Sequence, residues 1–121
     1  MAERAQSLQK VIVRMPDNLT IKTENVKQGD SRYCWVNIEL GGARVGKARI
    51  KRNPGKIIIK NINIFSGFER RGLATYTVAL FKKTAREIIA DRVRLSARGF
   101  WEHLGFSDMG DGNYRWVSRG S

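Results

Sequence analysis

At 121 residues, 41% of them hydrophobic, the chain is long enough for one folded domain with a core, and its composition excludes disorder as the default state. No apolar run approaches the roughly 18 residues of a membrane span, the single Cys34 excludes an intramolecular disulfide or a cysteine-rich zinc site, and the single His103 argues against a histidine-based metal site or a Ser/His/Asp triad. A net charge of +12, from 23 Lys+Arg against 11 Asp+Glu, attracts polyanions and makes nucleic acid, an acidic protein or a phosphate-bearing cofactor the candidate partners.

The predicted elements run as follows. Residues 1–9 read as a frayed end, polar and mixed in charge, unlike a secretory signal. With one cysteine and no membrane span, the cytoplasm is the expected compartment. Lys10 to Met15 is a short strand stopped by Pro16, and Leu19 to Val26 a second, followed by a turn at residues 28–31. Tyr33 to Leu40 alternates, with Cys34, Val36, Ile38 and Leu40 on one face and Tyr33, Trp35, Asn37 and Glu39 on the other. Gly41-Gly42 signals a hairpin. Ala43 to Arg52 returns, with Ala48 and Ile50 on one face and Val45, Lys47 and Arg49 on the other. Gly41, Gly46 and Lys47 match the G-x-x-x-x-G-K spacing of a nucleotide-binding loop. Ala48 stands where the magnesium-binding hydroxyl belongs and the segment continues as a strand, so hairpin glycines explain it better.

After a turn at Asn53-Pro54-Gly55, Ile57 to Phe65 is apolar on both faces at its start, which suits a covered central strand. The spacing predicts one helix over Gly72 to Ala90, a strand over Asp91 to Ala97, a short helix over Arg98 to Gly105, and a closing hairpin of Phe106 to Met109 and Asn113 to Val117 around Gly110-Asp111-Gly112. The central strand, the helix and the following strand form a βαβ unit with two parallel strands. Strand, Gly-containing loop and helix start bring backbone N–H groups and a positive helix end together over residues 57–74, the arrangement that holds a phosphate or pyrophosphate.

Two stretches resemble a family. Ser66 to Thr75 (SGFERRGLAT) resembles the pyrophosphate loop of the GNAT superfamily of N-acetyltransferases, Gln/Arg-x-x-Gly-x-Gly/Ala, with Gly72 and Ala74 at the last two key positions. Ala97 to Phe106 (ARGFWEHLGF) resembles the family's second signature, Ala-x-x-x-Tyr/Trp-x-x-x-Gly-Phe, and Leu40 to Ile50 resembles its usual second and third strands. The resemblance covers roughly residues 33–117. It implies a single α+β domain over 1–121 with the GNAT-like acyl-CoA N-acyltransferase fold: a mixed, mostly antiparallel twisted sheet with one long and one short helix. It also implies acetyl-CoA or CoA as cofactor.

In that family the N–H groups of Arg70, Arg71, Gly72, Leu73, Ala74 and Thr75 would cap the pyrophosphate. Arg70 and Arg71 would add charge-assisted contacts. Asn63, Ile64 and Phe65 would offer a strand edge to the pantetheine, and Trp101 and Phe100 would lie near it. Core packing is the other reading of Phe100 and Trp101, and the better one for Phe106. Four departures stand out. Glu69 replaces the loop's Gln or Arg and opposes phosphate. Trp101 stands where a tyrosine often protonates the leaving thiolate, which indole cannot do. Asn61 and Asn63 stand where a base glutamate is often found. Residues 16–32 are too few and too polar for the two helices that usually follow the first strand.

Two functions follow. One is acetyl transfer from acetyl-CoA to an amine, more readily of a protein than of a small molecule, by direct attack on the thioester, with Ser96 as the candidate proton donor and a structural serine as its other reading. The alternative is an inactive module of the same fold whose basic surface binds an acidic protein or nucleic acid, with Tyr33, Trp35 and Trp116 as candidate stacking platforms. Neither needs a metal or a membrane.

Overall fold

The computed structural model describes residues 18–23 and 33–119. The expected frayed end, the first strand, the turn at 28–31 and the stretch where the family's two helices would lie fall wholly or largely outside them. The described strands are β1 (Leu19–Thr23), β2 (Cys34–Leu40), β3 (Ala43–Asn53), β4 (Lys56–Ile64), β5 (Glu87–Ala90), β6 (Ser107–Asp108) and β7 (Tyr114–Val117), and the helices are α1 (Leu73–Thr84) and α2 (Arg98–His103), the latter entered through a single 3-10 turn at Leu95–Ala97. They form one seven-stranded sheet in the order β1-β2-β3-β4-β5-β7-β6. Every pairing is antiparallel except β4 with β5, which α1 connects. None of the described helices is long and apolar enough to cross a membrane.

The alternating strands are why the sheet has two unlike faces. Val36, Ala48, Ile50, Ile57, Ile59 and Ile88 form one buried cluster with Leu73, Val78 and Phe81 of α1 and with Trp101 and Phe106. Both helices therefore pack on this inner face, and Lys82 of α1 ties them by donating to the carbonyl of Leu104 at 2.6 Å. Residues opposite one another across a ladder share a face, so Trp35 with Arg49, Asn37 with Lys47, and Arg49 with Asn61 stand on the outer face.

Two bulges interrupt this pattern. Between Ile38/Glu39 and Arg44/Gly46 the extra residue is Val45. Strict alternation put Val45 with Lys47 and Arg49, but it is fully buried in the core. The second bulge is at Lys60, where Ile50 faces Ile59 and Arg49 faces Asn61. It keeps Ile57, Ile59, Ile62 and Ile64 on the inner side although Ile59 and Ile62 are three residues apart, and it sends both Lys60 and Asn61 outward.

The second half departs from the spacing argument. The helix ends at Thr84 rather than Ala90, because Ala85 is already extended and the N–H groups of Arg86 and Glu87 both donate to the carbonyl of Gly55, at 2.8 and 3.1 Å. Ile88 fits the helical period arithmetically, yet the Ile88-Ile89 pair fills the slot beside Ile57 and Ile58 in the sheet, where β-branched side chains pack well. The strand expected over Asp91 to Ala97 is a loop and a 3-10 turn: Arg92 is left-handed (φ 52°) and Leu95 is 73% exposed. The short helix and the closing hairpin stand where expected.

Candidate active site

Strands β4 and β5 run side by side only from Lys56/Glu87 to Ile59/Ala90. The N–H of Asp91 makes the last link, to the carbonyl of Ile59 at 2.8 Å. Beyond it β4 continues to Ile64 with β3 on one edge and no described strand on the other. The resulting cleft has a volume of about 850 Å³. Its β4 wall is Ile59 to Asn63, and its opposite wall is Asp91 to Arg94, Ser96, Ala97, Phe100 and Trp101.

Backbone alternation decides which groups face it. The N–H of Phe65 donates to the carbonyl of Val45 at 2.8 Å, so Phe65, Asn63 and Asn61 direct their backbone groups to β3. Ile62 and Ile64 direct theirs to the open edge. Of the expected trio Asn63, Ile64 and Phe65, only Ile64 lends its backbone to that edge. Asn63 meets the cleft with its side chain, and Phe65 lies under the guanidinium of Arg44, 5.4 Å from the ring centre.

At the end of this strand lies the loop into α1. Arg70 (φ 67°) and Gly72 (φ 75°) are both left-handed, a conformation that costs about 1–2 kcal/mol for a residue with a side chain. Gly72 opens the helix and its carbonyl accepts from Tyr76, but no side chain caps the first turn and no acidic residue stands in it. Among the described residues the first N–H groups of the helix thus have no side-chain partner, and a helix start of this kind can take an anion. Arg70, Arg71 and Glu69 are exposed, with Arg71 over the ring of Phe68 at 5.6 Å, while Leu73 is buried and Ala74 lines the cleft.

On the other wall, Trp101 is 7% exposed and packs edge-on against Phe100 and Phe106, with ring centres 5.0 and 4.9 Å away. It is both core and cleft wall. Phe106 is core, and Phe100 is half-buried at the cleft. Ser96 lines the cleft from the 3-10 turn, not from a strand end. His103 is exposed and outside it.

Sequence reasoning missed Asp91. It follows β5 directly and sits in the cleft, where the hydroxyl of Tyr33 donates to its Oδ2 at 3.4 Å. Its loop is held firmly: Arg92 N–H donates to Oδ1 of Asn113 and Val93 N–H to the carbonyl of Gly112, both at 2.8 Å. Burial raises the Tyr33 phenol above the usual tyrosine value, and the Asp91 carboxylate beside it adds to this, against the opposing pull of Arg49 and Arg92. Reading Asp91 as the first residue of a strand hid it. The available signal was an acidic residue directly after the apolar run Ile88-Ile89-Ala90.

The comparisons bear on this geometry. The family model described as "Acetyltransferase (GNAT) family" matches residues 4–106. The fold is similar to that of a coenzyme A complex of YhhK, a putative N-acetyl transferase from E. coli, at TM-score 0.63 and 16% identity over 83% of this chain and 98% of that one. It is similar to the N-acetyltransferase YlbP of Bacillus subtilis, also in complex with coenzyme A, at TM-score 0.61 and 14% identity over 84% and 99%. An acetyltransferase from Thermus thermophilus gives 0.59 and 19% over 74% and 67%. No curated protein sequence matches the chain.

Proposed function

The chain belongs to the acetyltransferase (GNAT) family, and from that premise we propose that it transfers an acetyl group from acetyl-CoA to an amine. The observation that carries this reading is the open edge of β4 beyond Ile59 leading to an uncapped, glycine-started helix. Both are parts that an acyl-CoA needs, and the structural neighbours with coenzyme A bound share the fold. Arg70, Arg71, Gly72, Leu73, Ala74 and Thr75 would hold the pyrophosphate with backbone N–H groups and two guanidinium groups. Ile62 and Ile64 would pair with the amide-bearing arm, with Asn63, Phe65, Phe100 and Trp101 around it.

Acetyl-CoA supplies the acetyl group as an activated thioester. The residues of the chain do the rest. Asp91, a carboxylate in the cleft, attracts the acceptor's ammonium and takes its proton on the way to solvent. Tyr33 orients that carboxylate. As the amine attacks the thioester carbon and the C–S bond breaks, Ser96 on the same wall would give the leaving thiolate its proton, a part the indole of Trp101 cannot play. The cleft is bordered by a sheet face and loops, which suits an amine presented from outside, as on a protein. The lone cysteine suits a reducing, cytoplasmic setting.

Calorimetry with acetyl-CoA and CoA tests the reading. Binding is expected for the native chain and its loss for Gly72→Trp, which puts a side chain at a left-handed position. No heat at about 1 mM ligand, a concentration at which even weak sites fill, would end it. Cofactor binding without acetyl transfer to any amine would leave a cofactor-holding module.

A further inference from the structure

We infer that the acceptor is an acidic polypeptide segment, with a lysine or N-terminal amine flanked by aspartate or glutamate, docked on the outer face of β2, β3 and β4 beside the cleft. The inference rests on the acetyl-transfer reading and names its substrate class. Its observation is a ladder of alternating cations and rings. The ammonium of Lys47 lies 4.5 Å from the ring centre of Trp35, and the guanidinium of Arg49 lies 5.7 Å from both Trp35 and Tyr33. The ammonium of Lys60 lies 5.3 Å from Tyr33. Cross-strand register puts Trp35 beside Arg49, and the bulge at Lys60 brings the third cation outward to join them.

The rings hold these cations without neutralising them. Among the described residues none of the three forms an ion pair, and Nε of Arg49 is buried with no hydrogen-bond partner. Lys47, Arg49, Lys60, Arg92 and Arg94 all line the cleft, where Asp91 is the single carboxylate among the described residues. One anion inside a border of cations is complementary to one ammonium flanked by carboxylates. The ladder's cations stand on the outer face while α1 packs on the inner face, so they approach the cleft they share with Ala74 from the side opposite the helix that would hold the pyrophosphate. Single-stranded nucleic acid fits less well. Its bases need bare aromatic faces for stacking, and here the rings of Tyr33 and Trp35 already carry cations, while Asp91 repels a continuous line of phosphates.

The test uses fluorescein-labelled peptides with one lysine flanked by glutamates, by glutamines or by arginines, and a single-stranded oligonucleotide of the same net charge as the acidic peptide. Anisotropy without cofactor reads peptide binding, calorimetry without peptide reads CoA binding, and acetyl transfer is measured separately. The acidic peptide is expected to bind about tenfold tighter than its glutamine counterpart at low salt and to lose that advantage as salt rises. Lys60→Gln, on an exposed bulge, and Arg49→Gln are each expected to weaken its binding and its kcat/KM severalfold while CoA affinity stays constant. Equal binding of the glutamine peptide, equal or tighter binding of the oligonucleotide, or a parallel loss of CoA affinity in the two variants overturns the inference. Absence of CoA binding strikes the underlying reading instead, and the peptide measurement stands apart from it.

Discussion

The hydroxyl of Tyr33 lies 3.4 Å from Oδ2 of Asp91, joining the start of β2 to the end of β5 across two intervening strands. Because the folded state raises the tyrosine's pKa, the folded chain holds that proton more tightly than the unfolded one. The associated stability is complete below the ordinary tyrosine value of about 10 and is lost as pH rises from there through the raised folded value. Tyr33→Phe is therefore expected to lose less stability than the native chain between about pH 9 and pH 11. Thermal melts across that range check it. An unchanged alkaline slope would remove Tyr33 from the account.

Asp91→Asn keeps the size of the side chain and its place in the cleft but removes the charge. If Asp91 receives the ammonium, kcat/KM for the amine falls by about a hundredfold or more, the usual range for a general base, while CoA affinity holds. The rate of the variant should also recover with rising pH, as solvent comes to supply the neutral amine. A variant as active as the native chain at neutral pH would show that Asp91 is only structural.

Gly46 is packed against β4 on the edge opposite the cleft, where β3 pairs with it. A Cβ built there stands 2.6 Å from the carbonyl oxygen of Asn63 and 3.2 Å from Cα of Ile64, both backbone atoms that cannot rotate away. Gly46→Ala is expected to destabilise the fold by about 1–3 kcal/mol and to weaken CoA binding by shifting Ile62 and Ile64. Gly42→Ala is the control, since no atom lies within 4 Å of its added Cβ and only the left-handed backbone is strained. Equal melting temperatures for the two variants would contradict the close approach.

Glu69 is exposed in the loop before α1, and its charge opposes any phosphate held there. Glu69→Gln is expected to tighten CoA binding about two- to fivefold at low ionic strength, the scale of exposed charge effects, and to lose the gain at high salt. Calorimetry at two salt concentrations reads both. An identical affinity would mean that the carboxylate is turned well away from the ligand.

Much of the site's framework was legible from local chemistry. Period-two alternation in Cys34–Leu40 gave β2 its faces, the hairpin glycines placed β3 beside it with only Val45 assigned to the wrong face, and Gly72 marked the start of α1. The chemistry between these parts was harder to read. Asp91 was lost with the end of α1, since Ile88 satisfies a helical period as well as a strand. The choice was made by a carbonyl, that of Gly55, which is distant in sequence.

The sequence by itself determined the strands with strong alternation, the turns that need glycine, the phosphate-type loop and the excess of positive charge, because these depend on side-chain periodicity and on which residues tolerate left-handed backbone. Only the tertiary structure decided where α1 stops, which residues bulge, and where β4 and β5 part. Those outcomes depend on how neighbouring strands share hydrogen bonds and fill a common core. A single bulge at Lys60 shows the difference: it keeps four isoleucines inside and sends a cation to the aromatic ladder outside, and the adjacent polar pair Lys60-Asn61 marks only a break in alternation, not which residue the ladder would skip.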